Sequence, residues 1–276
     1  MSSGLYLYCL SEPLGPPRPL KAGAVDGKGQ VLVRSVAGIS AVVSDLSLDD
    51  FGDMQKKARD DVLWIKQKAL AHEKVVEEAM GGPANNPAPV IPMKFGVVFN
   101  TGQRLAETLC RQGKSIRAAF DRVRGKQEWS VKLFLKNAQQ FKQQVREQSG
   151  GLRQKTTRLA ALPAGMAYFM EQELEEELQN ECSRRWDQEA RRAYEQLTPL
   201  AAEAARVKLL DGKLTGRGEP MVLNSAFLVA SDRLPAFADA VDKLRARLGR
   251  KGFLLEQGGP WPPYNFTEFA HVRDRQ

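Results

Sequence analysis

The sequence predicts an α+β protein of two domains. Residues 1–124 form an N-terminal mixed α+β sheet domain, and residues 125–276 a C-terminal ferredoxin-like domain with an extended helical insertion. Three observations predict this. Strand-length apolar runs alternate with helical stripes along the whole chain. The charged stretch Arg122 to Lys126, with Gly125 inside it, interrupts that pattern near the middle. Beyond it the elements read β-α-(long α)-β-β-α-β, the ferredoxin-like order with an enlarged first crossover.

In the first half, Leu5 to Leu10 is rich in strand formers, and Ser11 to Gly29, with four prolines and four glycines, reads as an exposed loop. Gln30 to Arg34 and Ile39 to Ser44 flank Ala37-Gly38 as a hairpin. From Lys56 to Met80 the apolar residues Ala58, Val62, Ile65, Ala69, His72, Val76 and Ala79 fall on one helical stripe, which Gly81-Gly82-Pro83 stops. Val90 to Phe99 reads as a strand whose Pro92 needs an edge or a bulge. Thr101 opens a second helix running to Phe120. One sheet with helices on a face is the expected arrangement.

In the second half, Trp129, Val131, Leu133 and Leu135 alternate along a strand. A helix from Lys136 to Glu147 is ended by Ser149-Gly150-Gly151, which opens an Arg/Lys-rich linker to Arg158. Gly165 to Leu197 is one long helix with Met170, Leu174, Leu178, Cys182, Trp186, Ala190 and Tyr194 every fourth residue. Its first half is acidic and its second half basic, an order that complements the helix dipole. Its narrow stripe must pack on its own sheet or on a partner helix. A hairpin from Ala205 to Leu210 and Met221 to Ala230, a helix from Leu234 to Leu248 and a strand from Phe253 to Glu256 complete the half.

Composition narrows the function. Hydrophobic residues make up 42% and charged residues 27% of the 276, which suits a globular chain. No run approaches the ~18 apolar residues of a membrane span. The N-terminus lacks the basic flank and apolar core of a signal peptide. Cys9, Cys110 and Cys182 are too far apart for a metal or disulfide pattern, so a soluble cytoplasmic protein is expected. Charge is uneven: Arg104 to Arg158 holds 14 Lys and Arg against 4 Asp and Glu, a net +10 in a chain of net +8. That stretch reads as a solvated face, or as an attractor of nucleic acid or an acidic partner.

Catalytic patterns are missing. His72-Glu73 begins the zinc motif H-E-x-x-H, but Val76 stands where the second histidine belongs, so His72 reads as a core histidine. Neither a phosphate-binding G-x-x-x-x-G-K-[ST] loop nor a G-x-S-x-G elbow occurs. The glutamates from Glu171 to Glu177 form a solvated helix face rather than a confined acid/base pair. No enzyme, cofactor or metal is expected. A ferredoxin-like RNA-binding module is the alternative, using the basic residues 104–158, but Lys251-Gly252-Phe253 only begins its aromatic strand motif and Leu254-Leu255 breaks it.

Four segments in order carry a family likeness: Pro92-Met93-Lys94-Phe95-Gly96-Val97-Val98-Phe99, Glu128-Trp129-Ser130-Val131-Lys132, Leu223-Asn224-Ser225-Ala226-Phe227-Leu228-Val229 and Gly259-Pro260-Trp261-Pro262-Pro263-Tyr264-Asn265-Phe266. With Tyr6-Leu7-Tyr8 and His72-Glu73, the chain resembles the gas vesicle protein F/L family (GvpF/GvpL). The proline-rich Ser11 to Gly29 loop and the Ser149 to Arg158 linker depart from it. The resemblance implies two α+β domains, the second ferredoxin-like. It implies a non-enzymatic accessory or minor structural role in gas vesicle nucleation and assembly, with the small hydrophobic shell protein and other accessory proteins as partners and no nucleic acid. The residues expected to bind the partner are Pro92, Met93, Phe95, Val97 and Phe99 of the interrupted strand, with Trp261 and Tyr264 of the tail. For the tail two readings stand, a plug over its own sheet, helped by an Asn265/Glu268 capping box, or a direct partner contact.

Overall fold

The computed structural model describes residues 3–12, 19–36, 38–49, 51–52, 61–81, 87–159, 162–212 and 216–267. The chain divides into two compact units, Met1–Glu128 with Gly259–Gln276, and Trp129–Gly258. The tail beyond Gly258 thus clusters with the N-terminal unit, although its place in the sequence assigns it to the C-terminal domain.

The first unit is built on a sheet of β1 (Ser3–Ser11), β2 (Pro19–Gly23), β3 (Gln30–Val36), β4 (Ile39–Ser47), β5 (Val90–Pro92) and β6 (Val98–Phe99). The order is β2-β3-β4-β1-β5, and β6 also pairs with β1. Helices α1 (Val62–Met80) and α2 (Gly102–Val123) complete the unit. They pack on opposite faces of the sheet, not on one. Val75, Val76 and Ala79 of α1 join Tyr6, Tyr8 and Cys9 in one core, while Leu105, Leu109, Ile116 and Phe120 of α2 join Leu5, Leu7 and Leu10 in another. A strand covered on both sides needs no polar alternation, which is why β1 is buried from Gly4 to Ser11. Cys9 lies on the same face as Tyr8 because the β1–β4 register slips between Leu7 and Cys9. The extra residue of that bulge reverses the facing of the residues after it.

Two further expectations for this unit are corrected. The segment from Ser11 to Gly29 is not a plain loop: β2 forms within it, and Leu20, Ala24 and Val25 are buried. Turn-rich composition hid a strand that tertiary pairing with β3 creates. The run from Val90 to Phe99 is not one strand but two, separated where Gly96 takes φ +89°. Pro92 ends β5 at the sheet margin, where its missing N–H is tolerated.

The other margin is closed by a side chain. Glu78 Oε1 accepts the backbone N–H of Lys21 at 2.8 Å and Oε2 that of Ala22 at 2.7 Å. These charge-assisted bonds fasten α1 to β2 and occupy an edge that would otherwise offer free donors. Helix ends follow local chemistry: Asp61 accepts from Trp64 N and Thr101 from Arg104 N, each cap stabilising by about 1 kcal/mol, and Gly81 at φ +92° ends α1.

The sheet of the second unit is formed by β7 (Lys126–Leu135), β8 (Glu203–Arg206), β9 (Met221–Ala230) and β10 (Phe253–Trp261) in the order β10-β7-β9-β8, the start of β7 to Glu128 and the end of β10 from Gly259 clustering with the first unit. Its helices are α3 (Ala138–Gln148), α4 (Gly150–Leu159), α5 (Ala164–Leu197) and α6 (Leu234–Gly249). This is the ferredoxin-like order, its first crossover enlarged to three helices. Ser149 does end α3, but Gly150 and Gly151 then open α4, so the expected linker is helical. Leu152, buried at 4% exposure, rewards the extra turn. The final strand runs past Glu256 to Trp261 and carries the Gly-Gly-Pro within it.

The long helix packs on its own unit. Ala190, Ala193 and Leu197 join the sheet core, and the Tyr194 ring packs tilted against Phe227 at 5.7 Å. The first half lies along α3 and α4, where Lys155 reaches Glu177 at 2.6 Å and Lys142 pairs with Glu175. Lys142, Arg146 and Lys155 of the basic stretch thus pair with Glu173, Glu175 and Glu177 of the acidic half-helix, from which they are separate in sequence.

Candidate functional site

The stripe of α1 turns His72 into the core of the first unit, where it is 2% exposed. Its Nε2 lies 3.0 Å from the Met93 carbonyl and its Nδ1 3.0 Å from the Tyr6 hydroxyl. A carbonyl only accepts, so Nε2 carries the proton and Nδ1 receives the Tyr6 O–H. The Tyr6 oxygen accepts the backbone N–H of Gly96 at 3.0 Å. Burial pulls His72 down to about 4, against the opposing bond to Met93, and the neutral ring suits these roles. Burial likewise pushes the Tyr6 phenol up. Phe95 packs edge-on against Tyr6 at 6.2 Å and His72 at 6.0 Å. One buried relay thus fixes the segment between β5 and β6.

Beside His72, Glu73 holds the tail. Tyr264 Oη donates to Glu73 Oε2 at 2.8 Å. Glu128 accepts twice from one residue, from Asn265 N at 3.1 Å and Asn265 Nδ2 at 2.6 Å. Burial raises both carboxyls against these bonds. Glu128 reaches about 7, and the Glu73 charge adds to its rise. Pro262, Pro263 and Phe266 are buried, and Thr267 Oγ1 donates to the Pro263 carbonyl at 2.7 Å. Trp261 remains 38% exposed beside a small cleft lined by Met80, Pro87, Pro89 and Pro263. The expected capping box rests on Glu268, which lies outside the described residues.

The residues expected to bind a partner separate by accessibility. Pro92, Met93 and Phe99 are buried; Phe95, Val97 and Tyr264 are half-buried; Trp261 is exposed. Tyr264 comes to the Tyr6–His72 neighbourhood through Glu73, whereas Trp261 stands at the cleft. Glu73, Glu128 and Tyr6 carry the site's polar chemistry, and sequence reasoning did not single them out for it. The available signal was Gln127-Glu128, two adjacent polar residues buried at 4% each at the start of an otherwise alternating strand.

Other chemistry is sparse. Among the described residues no group of three or more His, Cys, Asp or Glu could hold a metal ion. No helix among them is long and apolar enough to cross a membrane. Phe253, where a base-stacking aromatic would stand in the RNA-binding alternative, is 2% exposed in the core of the second unit. Of the basic residues 104–158, Arg104, Arg124, Lys142, Arg146 and Lys155 are ion-paired.

Together these features define a two-unit α+β protein whose shifted Tyr6, His72, Glu73, Glu128 and Tyr264 side chains bond within the first unit. The chain belongs to the gas vesicle protein F/L family: the family model described as "Gas vesicle synthesis protein GvpL/GvpF" matches residues 4–268. Gas vesicle protein L2 of Halobacterium salinarum is 27% identical over 278 residues, covering 97% of this chain and 92% of that one. Gas vesicle protein F of Haloferax mediterranei is 24% identical, covering 100% and 99%. The crystal structure of GvpF from Anabaena sp. shares the fold at a TM-score of 0.73 and 23% identity, covering 98% and 100%. That of GvpF from Microcystis aeruginosa does so at 0.66 and 20%, covering 96% and 99%. The family assigns the chain an accessory role in gas vesicles.

Proposed function

We propose that the chain is a non-enzymatic assembly protein that holds the small hydrophobic gas vesicle shell protein, together with other accessory proteins, during nucleation and growth of the vesicle. The match over residues 4–268 supports the role. The observation that carries the surface is the exposure of Trp261 at the end of a strand whose succeeding residues are pinned by Glu73 and Glu128. An apolar ring kept at the surface by a rigid mount loses little freedom on binding, which is how preorganised anchors gain affinity. Phe95 and Val97, also partly accessible, are the remaining contacts on this reading, while Pro92, Met93 and Phe99 support them from the core.

The test uses the full chain co-expressed with the gas vesicle shell protein. Trp261→Ser is expected to reduce co-purification at least about tenfold, as loss of an aromatic anchor does, with an unchanged melting temperature. Retained capture alongside a large fall in melting temperature would make Trp261 part of the plug and move the contact elsewhere.

A further inference from the structure

The second unit carries two unsatisfied surfaces on one rigid helix. At the start of α5, Met166, Tyr168 and Phe169 are exposed by 62%, 59% and 76%. Glu176 shares the angular face of Met166 and Phe169 by the 3.6-residue period and is exposed, whereas Glu173 on the same face pairs with Lys155 at 3.8 Å. The patch is therefore apolar, with the carboxylate of Glu176 at its border. Further along the helix, a groove of about 600 Å³ opens between α5 and the β8–β9 hairpin. Its floor includes Val207, Val222 and Leu223, and its rim includes Arg184, which Glu181 holds at 2.8 Å, with Arg191 and Arg206 opposed by Asp187. Leu209, 49% exposed, forms part of its wall.

The surfaces match in kind. One is a small apolar knob edged by Glu176, the other an apolar hollow edged by the guanidinium groups of Arg191 and Arg206. They cannot meet within one molecule, because patch and rim are separated by roughly 28 Å of continuous α-helix. We propose that Met166, Tyr168 and Phe169 of one copy seat in the groove between α5 and the β8–β9 hairpin of a second copy, so that the chain associates head to tail. Each docking leaves one patch and one groove free, so the contact is heterologous and extends into an open file rather than closing as a two-fold dimer. A knob this small makes a weak, reversible contact, and salt lessens its charged part.

Light scattering or sedimentation velocity on the full chain over a concentration series tests this. The mass is expected to climb above the 30.7 kDa monomer with concentration. Phe169→Ser removes the patch and Arg191→Glu the rim; each side chain is exposed, so circular dichroism and melting should match the parent. Each variant alone should associate about tenfold or more weakly, the usual scale for losing an anchor or reversing an interface charge. An equimolar mixture should recover association but stop at two copies, since each variant keeps one intact surface. Met166→Ser and Arg206→Glu serve as a second pair if either first variant misfolds. A parent that stays monomeric, variants that associate like the parent, or a mixture that stays monomeric would overturn the proposal.

Discussion

Tyr264 donates to Glu73 across 191 positions of sequence, and the 2.8 Å bond is made in a part-buried site. Removing its hydrogen leaves a desolvated carboxylate without this partner. Tyr264→Phe is therefore expected to lower unfolding free energy by about 1–3 kcal/mol, read from urea denaturation. It should also bring proteolytic cleavage near residue 264 at lower protease dose. An unchanged midpoint and digest would show that the tail is held by its prolines alone.

Two buried groups of the first unit oppose each other in pH dependence. His72 falls from 6.5 unfolded to about 4 folded, so the unfolded chain binds the extra proton between those values and stability rises with pH there. Glu128 climbs from 4.5 unfolded to about 7 folded, so the folded chain keeps the proton and stability falls as pH rises across that window. Each amounts to about 3 kcal/mol, and between roughly pH 4.5 and 6.5 they cancel. Relative to the parent, His72→Gln should tilt the stability profile downward with rising pH and Glu128→Gln upward. Parallel profiles for all three proteins, measured by denaturation at several pH values, would refute the opposition.

In the second unit, Glu189 is 8% exposed and accepts from Arg247 at 2.9 Å and Lys251 at 2.5 Å, with Arg192 at 3.5 Å. It joins α5 to α6 and to the turn beyond α6. Glu189→Ala leaves three cations facing one another and is expected to cost about 2–3 kcal/mol, below the full penalty for a buried pair because the cations are partly solvated. Added salt should recover part of the loss in thermal melts. A melting temperature equal to the parent's would show that the cluster contributes no net stability.

Glu78→Ala should act on both stability and self-association. It removes two charge-assisted bonds, about 1.5–3 kcal/mol each, and uncovers the N–H groups of Lys21 and Ala22. Light scattering on warming is expected to begin at lower temperature than unfolding alone explains. Glu78→Gln, which keeps one acceptor oxygen, should fall between the two.

Much of the fold was legible because period and punctuation agree. The alternation of Val131, Leu133 and Leu135, the stripe of α5 and the hairpin around Gly38 all appear where their patterns place them. What stayed hidden depends on distant parts of the chain. β2 exists because β3 pairs with it among prolines, and Gly150-Gly151 begins a helix because Leu152 finds a core. The facing of Cys9 comes from a slip that only the β4 register reveals. His72 was readable as a core histidine from its stripe. Its neighbour Glu73 looked like half of a zinc motif, since the tyrosine that explains it enters 191 residues later.

That separation gives the protein an order in time. A ribosome releases Glu73 and Glu128 long before it releases Tyr264 and Asn265, and residues Trp129–Gly258 emerge in between. The ferredoxin-like unit is thus complete in sequence while the earlier unit still lacks its last pieces. The nascent chain carries the carboxyls of Glu73 and Glu128 without these partners until Tyr264 and Asn265 have emerged. The first unit, begun before residues Trp129–Gly258, is completed only after them.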